Sequence, residues 1–144
     1  MAEEMRSPIE SGCPDAFQYM HPLMRKNYGQ WAYHEDIRPG VLVHVSNNGD
    51  KMFTVRAGTQ RILDLFTLRK LCDIGDEYGE GYIPFTIRSN IEYQVADEAK
   101  VEPLIKKLED EGFVVGGTRN SVTMISHTQG WLHCDIPGTD ASGV

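Results

Sequence analysis

The last part of the chain holds its densest group of residues able to bond, stack or bind a metal. Two histidines, a tryptophan and a cysteine occur in one short run, at His127, Trp131, His133 and Cys134. The run begins as a strand-like stretch and passes into Gly, Pro, Thr, Ser and Asp residues that favour turns. Because functional groups concentrate where a rigid element passes into a loop, we expect this segment to line a binding site.

The same segment has two further interpretations, a metal site and a nucleophile. His133 and Cys134 are adjacent, so in a strand they would point to opposite faces and could not easily share one ion with His127 and Asp135. A Cys–His or Ser–His nucleophile is weaker still, since no orienting carboxylate is apparent. The histidines fit better as hydrogen-bond donors or as buried residues with satisfied partners.

Arginines at predicted strand ends form a second group. Arg56 ends one predicted strand, and Arg88 ends another that begins at Tyr82. Strand alternation would put Thr86 and Arg88 on one side of the sheet, with Phe85 and Ile87 on the other. A guanidinium held on a rigid strand can bind two oxygens of an oxyanion or carboxylate at once. The alternative is a pair of solvated arginines on an open sheet face.

A glycine-rich turn lies between these two groups. Gly116-Gly117-Thr118-Arg119-Asn120 resembles an anion nest, in which glycines let backbone N–H groups converge beside a cation. The alternative is an ordinary Gly-Gly turn that binds nothing.

Hydrophobic periodicity predicts the elements that must position these residues. Residues 41–45 and 52–56 flank a Ser-Asn-Asn-Gly-Asp turn and predict a hairpin. A helix from Thr67 to Tyr78, with Thr67 as its N-cap, would bury Cys72 as a small hydrophobe. Residues 82–88 and 91–95 predict two strands around a turn at Ser89-Asn90.

A second helix, capped by Asp97, follows these strands. Its predicted buried stripe is Val101, Leu104, Ile105 and Leu108, and residues 113–115 predict a short strand after it. The order from residue 51 is then β-α-β-β-α-β. This order indicates an α+β, ferredoxin-like unit with both helices on one face of an antiparallel sheet.

The first forty residues are less regular. Residues 1–15 are polar and predict a loose arm that includes Cys13, whereas residues 16–33 are rich in aromatics and methionine. This density predicts a helical or irregular segment that packs on the body or on a partner subunit. A small satellite core is the alternative.

Composition restricts the class of protein. The 144 residues are 40% hydrophobic and 24% charged, as in one soluble globular domain. A net charge of −7 argues against a nucleic-acid binder. No apolar run approaches the ~20 residues of a membrane span, and the acidic N-terminus does not resemble a secretory signal, so we expect a cytoplasmic protein. Three widely separated cysteines provide neither a disulfide framework nor a complete metal site.

Four motifs carry a resemblance to a known family. The segments 24–31, 39–42, 82–90 and 127–134, together with Thr139-Asp-Ala-Ser-Gly143, resemble the beta subunits of dissimilatory sulfite reductases. The His-Thr-Gln-Gly-Trp run is specific to that family. The Thr-x-Arg-x-Asn pattern is shared more widely among sirohaem sulfite and nitrite reductases.

The resemblance implies three parts and a set of cofactors. The parts are an arm and aromatic docking segment (1–39), a ferredoxin-like half domain (40–116) and the start of a sirohaem-binding domain (117–144). Sirohaem and a [4Fe-4S] cluster would interconvert sulfite and sulfide in an α2β2 heterotetramer of sulfur metabolism. An electron-donor complex and a small sulfur-carrier protein are further implied partners.

The resemblance also implies roles for individual residues. Arg88 and Arg119 would act on bound sulfite, and with Arg56 they would surround the carboxylates of sirohaem. Favouring sulfite and polarising its S–O bonds is chemistry suited to guanidinium groups. The other implied cavity residues are Thr118, Asn120, His127, Thr128, Gln129 and Trp131.

Two departures from the family pattern qualify the resemblance. The four cysteines that hold the cluster in the family do not occur here, so we expect the N-terminal part of a longer subunit, inactive alone. Pro84 stands where many members have arginine, which is compatible with a sulfur oxidiser running the reaction in the oxidative direction. The alternative functions are a scaffold that binds a partner subunit and a ferredoxin-like domain that senses an anion.

Overall fold

The protein is described by a computed structural model that covers residues 15–59, 63–122, 130–132, 134–136, 138, 139 and 141. Its centre is one antiparallel sheet of four strands in the order β1-β2-β3-β4. The strands are β1 (Trp31–Arg38), β2 (Val41–Ser46), β3 (Lys51–Ala57) and β4 (Ile91–Val95). The helices are α1 (Pro22–Lys26), α2 (Leu65–Glu77) and α3 (Val101–Asp110). None of the helices in these ranges is long and apolar enough to span a bilayer.

The two faces of the sheet differ because side chains alternate along each strand. One face, called here the helix face, carries the apolar residues of the core, among them Val43, Val55 and Tyr93, and packs against α2 and α3. The Tyr93 hydroxyl donates a hydrogen bond of 3.0 Å to the Leu71 carbonyl. Burial, followed by the nearby Cys72, raises the pKa of that hydroxyl. The α+β class with both helices on one face is therefore confirmed.

The predicted hairpin and the second helix are confirmed. In the hairpin, Val43 is the partner of Phe53, and its turn closes with a bond of 2.9 Å from the Ser46 amide to the Asp50 carbonyl. The stripe predicted for α3 is buried. The Asp97 carboxylate accepts from the Ala99 amide at 2.9 Å, in the short turn of 3₁₀ helix (Glu98–Lys100) that precedes α3.

Helix α2, the first of the two predicted helices, begins earlier than predicted. Its N-cap is Asp64, whose carboxylate accepts from the Thr67 amide at 2.7 Å, so the prediction of Thr67 as the cap was wrong. Cys72 is exposed rather than buried, because α2 meets the core through Leu71, Ile74 and Gly75. A Cβ on Gly75 would lie 2.8 Å from Ile83 Cδ1, so the helix approaches residue 83 closely only because this position is glycine.

Two predicted strands are reduced to single bridges. Of residues 82–88, only Phe85 pairs, with Ile91, and of residues 113–115 only Val115 pairs, with Ala57. The predicted alternation of Thr86 and Arg88 against Phe85 and Ile87 was also wrong, because residues 87–89 form a turn and Ile87 is 96% exposed. Pro84 has no amide to donate to a ladder, although its carbonyl accepts from Glu92 at 2.9 Å. A turn at Thr86–Ser89 then reverses the chain.

The segment 16–33 contains an element that the sequence did not predict. A 3₁₀ turn (Ala16–Tyr19) and α1 come first, and β1 then forms the edge of the sheet. Strand β1 is largely exposed, so it has no apolar alternation to indicate a strand. His21 fixes α1 to the body: its Nδ1 accepts from the Leu23 amide at 3.1 Å, and its Nε2 lies 2.8 Å from Glu80.

The core should contribute most of the stability of the chain. Leu104 is fully buried whereas Leu65 is 67% exposed. Leu104→Ala should lower the free energy of unfolding by about 2–5 kcal/mol, because the substitution leaves a cavity. Leu65→Ala is the matched control and should cost less than about 0.5 kcal/mol. Urea denaturation measures both, and equal losses would contradict the assignment of the core.

Acid should weaken the link between α2 and α3. Glu111 accepts from Lys107 at 2.8 Å and from Lys70 at 2.6 Å, and these bonds lower the pKa of its carboxyl from 4.5 to about 2. Because the folded value lies below the unfolded one, the stabilisation is complete above about pH 4.5 and disappears as the pH falls toward 2. Glu111→Gln should therefore lose less stability over this window than the natural chain does.

The control for this pH series is Glu109→Gln, an exposed position on α3 two residues before Glu111. Its acid unfolding curve should follow that of the natural chain. If Glu111→Gln and the natural chain lose stability equally as the pH falls, the cluster of Lys70, Glu111 and Lys107 does not stabilise the fold as proposed.

Candidate functional site

A cavity of about 420 Å³ lies on the sheet face opposite the helices, called here the outer face. Strand register places its side chains there: His34 is the partner of His44, Asp36 of Leu42, and Arg56 of Glu92. Two loops complete the walls. The lining residues are His34, Asp36, Leu42, Arg56, Thr86, Ile87, Arg88, Thr118 and Arg119. The three arginines singled out in the sequence therefore meet in one cavity.

Arg56 is held firmly at the wall of the cavity. Its Nε donates to Glu92 Oε1 at 2.8 Å, its Nη2 also contacts Glu92, and its Nη1 donates to the Gly117 carbonyl at 2.7 Å. Only 20% of the Arg56 side chain and 17% of the Glu92 side chain are exposed. The charge of Arg56 is thus already balanced by a carboxylate within the fold.

Arg119 also has an acidic partner, but a more exposed one. Its Nε donates to Asp36 Oδ2 at 2.9 Å, and its Nη2 donates to the Asp36 carbonyl at 3.1 Å. Arg119 has a φ of 55°, and its side chain is 67% exposed. The pair joins the loop after residue 115 to the edge strand β1, and solvent screens it more than the Arg56 pair.

Arg88 differs from the other two arginines. It lies in the exposed turn after Thr86, whose hydroxyl accepts from the Arg88 amide at 3.3 Å and from the Asn90 amide at 3.1 Å. Within the described part of the chain, its guanidinium has no carboxylate partner. Arg88 is therefore the cation of the cavity most available to an anionic ligand.

The loop from Gly116 to Asn120 is held by hydrogen bonds to residues of the sheet and of the β1–β2 turn. The Gly116 amide donates to the Arg56 carbonyl at 3.1 Å, so this N–H is not available to an anion as the nest interpretation requires. Thr118 is buried, and its hydroxyl accepts from the Gly40 amide at 3.1 Å. A Cβ on Gly40 would lie 2.6 Å from the Gly116 amide nitrogen, so the loop approaches the β1–β2 turn closely only because position 40 is glycine.

Several residues implied for the site are not placed in this cavity. Asn120 is exposed and does not line it. Trp131 is 69% exposed and is likewise absent from the lining. His127, Thr128, Gln129 and His133 lie outside the described residues. In the parts that are described, no group of three metal-ligating side chains occurs.

The sequence did not indicate four of the lining residues, His34, Asp36, Leu42 and Ile87, the last of which was expected on the side opposite Arg88. His34 and Asp36 belong to β1, and no periodic signal predicted that strand. Behind His34, the ring of His44 lies 6.1 Å away between centroids, with its Nε2 3.3 Å from the Thr54 hydroxyl. Burial lowers the pKa of His44, with smaller contributions from His34 and Arg56, while the Glu92 carboxylate opposes the shift.

Comparison with known proteins shows which class of protein the chain resembles. Residues 44–111 match the nitrite/sulfite reductase ferredoxin-like half-domain family. The match covers the end of β2 and then β3, α2, β4 and α3, so this part of the chain is similar to that family. The similarity confirms the predicted ferredoxin-like fold class.

The particular relatives are dissimilatory-type sulfite reductase beta subunits. The chain is 45% identical to that of Archaeoglobus fulgidus over 140 residues, which are 92% of this chain and 38% of the relative. It is 47% identical to that of Nitratidesulfovibrio vulgaris over 133 residues, 88% of this chain and 35% of the relative. For Megalodesulfovibrio gigas the identity is 41% over 150 residues, with coverages of 99% and 57%.

These matches confirm the resemblance seen in the sequence motifs. The chain spans between about a third and somewhat more than half of the length of these relatives, 35% to 57%.

The Arg56–Glu92 pair should be important for the stability of the cavity. Glu92→Gln should lower the free energy of unfolding by roughly 2 kcal/mol or more, because it leaves a half-buried guanidinium without its counter-charge. Glu102→Gln is the matched control, since Glu102 is 73% exposed and its pair with Arg38 is worth at most about 1 kcal/mol. Equal effects in urea denaturation would contradict the structural role of Arg56.

Proposed function

We propose that the chain is part of an oxidoreductase subunit of the dissimilatory sulfite reductase type, which interconverts sulfite and sulfide. The observation that carries the proposal is the cavity of about 420 Å³ with three guanidinium groups, one of which has no acidic partner in the described part of the chain. The names of the relatives support the reaction. Guanidinium groups can donate to the oxygens of both sulfite and carboxylates.

The chemistry of the cavity fits the edge of a sirohaem. This tetrapyrrole carries many carboxylates, and burying them without cations would cost several kcal/mol for each group. Arg88 would bind a carboxylate or sulfite directly. Arg56 would contribute a fixed positive wall through its bonds to Glu92 and Gly117. The bound sirohaem would carry electrons to or from the sulfur anion, and the residues of this chain would bind and orient the anion.

The [4Fe-4S] cluster does not fit this chain alone. Such a cluster needs four cysteine ligands, and the sequence has three, far apart. The proposal therefore includes cluster ligands from outside this sequence. It also includes the start of a sirohaem-binding domain at 117–144, to which the residues from His127 to Trp131 would contribute.

The name of the relatives, subunit beta, supports an assembly with an alpha subunit. The finer proposal is a cytoplasmic α2β2 heterotetramer served by an electron donor and a sulfur carrier. Exposed aromatics early in the chain are available for docking: Tyr19 is 68% and Tyr28 61% exposed. The same observation favours a second candidate function, a scaffold that binds a partner while the chemistry takes place elsewhere.

The direction of the reaction, toward sulfide or toward sulfite, is also part of the proposal. Sulfite is the product in the oxidative direction, and a weaker hold on an anionic product speeds its release. Pro84 lies two residues before Thr86 of the cavity wall, and proline carries no charge at a position where the resemblance implies arginine in many members. This neutral position supports the oxidative direction.

The test uses the complete subunit co-expressed with its partner. The assembly should show tetrapyrrole absorption in the visible spectrum and turn over sulfite. Arg88→Ala should reduce kcat/KM for sulfite by about 10²-fold, the typical loss when one charged donor to a reacting oxyanion is removed. Arg69→Ala, an exposed arginine on α2, is the matched control and should have no effect.

The outcomes separate the candidates. Colour with unchanged turnover in Arg88→Ala would favour the scaffold, with the chemistry elsewhere. Reversible anion binding by a colourless assembly would favour an anion sensor. A colourless assembly that binds no anion would overturn the proposed function.

A further inference from the structure

The outer face carries a row of polar side chains that leads to the cavity. Thr54, His44 and His34 lie on the neighbouring strands β3, β2 and β1. Only His34, at the end of the row, lines the cavity that Arg88 also lines. It stands directly opposite His44 in the β1–β2 ladder, so strand pairing sets the position of its Cα and the face on which its side chain lies. An imidazole is the side chain whose ordinary titration lies nearest to neutral pH.

From this placement we propose that His34 takes up a proton when an oxyanion binds in the cavity and is then positioned to donate it. This inference rests on the proposed function, because it needs an anion beside Arg88. An anion next to an imidazole favours the charged imidazolium. Binding and proton uptake are then linked, and each strengthens the other.

The cavity that His34 lines holds charged groups from several elements. Before a ligand binds, two carboxylates oppose three guanidinium groups, since Arg56 and Arg119 are paired and Arg88 is not. An imidazolium adds a positive charge beside the anion. His44 adds none when neutral, and its burial favours that state by lowering its pKa. The charged groups that line the cavity with His34 are Asp36, Arg56, Arg88 and Arg119, and His44 stands opposite it on β2.

The proton step is simple and balanced. The N–H bond of the His34 imidazolium breaks, and an O–H bond forms on an oxygen of the bound anion. No electrons are transferred in this step, and the imidazole that remains is neutral. The side chain of His34 is exposed, so solvent can protonate it again. When sulfite is reduced, each oxygen that leaves as water needs protons from such an acid, and the electrons come from the reduced cofactors of the proposed function. In the oxidative direction the same step runs in reverse, and the neutral imidazole accepts the proton.

Calorimetry on the protein purified with its partners tests the proposal without measuring turnover. Sulfite is titrated in buffers of different ionisation enthalpy, which gives the number of protons taken up on binding. His34→Gln should bind sulfite but lose the part of the proton uptake due to residue 34, because glutamine cannot titrate. Above neutral pH, the affinity of the natural protein should fall up to about tenfold more per pH unit than that of the variant.

Controls identify the group and the ligand. His44→Gln should keep the proton uptake, since His44 does not line the cavity. A parallel titration with acetate separates a site for carboxylates from one for sulfite. If proton uptake occurs with acetate and not with sulfite, the site is assigned to the carboxylates of a cofactor.

Each remaining outcome overturns the inference in a distinct way. Equal proton uptake by His34→Gln and the natural protein would overturn it and leave the proposed function intact. Failure of the natural protein to bind either anion would overturn the inference together with the anion-binding role of the cavity.

Discussion

The ion pair between Arg56 and Glu92 holds the outer face together. These residues are partners on β3 and β4, and their side chains meet on the face opposite the core. Taking both charges largely out of water is costly unless the remaining donors are satisfied. Arg56 meets this condition by donating also to the Gly117 carbonyl, which fixes the loop that forms the far wall of the cavity. One interaction thus joins two strands and a loop, and the shape of the cavity depends on it.

This arrangement explains how an acidic chain can present a locally positive cavity. The net charge of −7 describes the whole surface, whereas a ligand in the cavity responds to the groups within about one Debye length, ~10 Å. There, Glu92 and Asp36 balance two of the three arginines, and Arg88 leaves the balance positive. The carboxylates also hold their partners in place, so the positive wall is positioned before a ligand arrives.

Some elements of the fold and some residues of the cavity could be predicted from the sequence, and others could not. Regular apolar spacing predicted the hairpin and the buried stripe of α3, because a buried face must follow the period of its element. The edge strand β1 has no such face, so no apolar period indicated it, and His34 and Asp36 of the cavity were missed with it. Residue type identified Arg56, Arg88 and Arg119. Their acidic partners depend on pairing across strands and loops, which a sequence read on its own does not contain.

The edge strand also shows how closely the site depends on the fold. Strand β1 has register irregularities between Trp31 and Tyr33 and between Asp36 and Arg38, with a regular stretch between them. In that stretch His34 and Asp36 both face the cavity. A slip of one residue would turn both away and present Glu35 instead, because side chains alternate with a period of two. The bulges confine the irregularity to the two ends of the strand. Strand β1 is therefore regular only along the part that lines the cavity, and pairing with the well-buried β2 keeps that part in register.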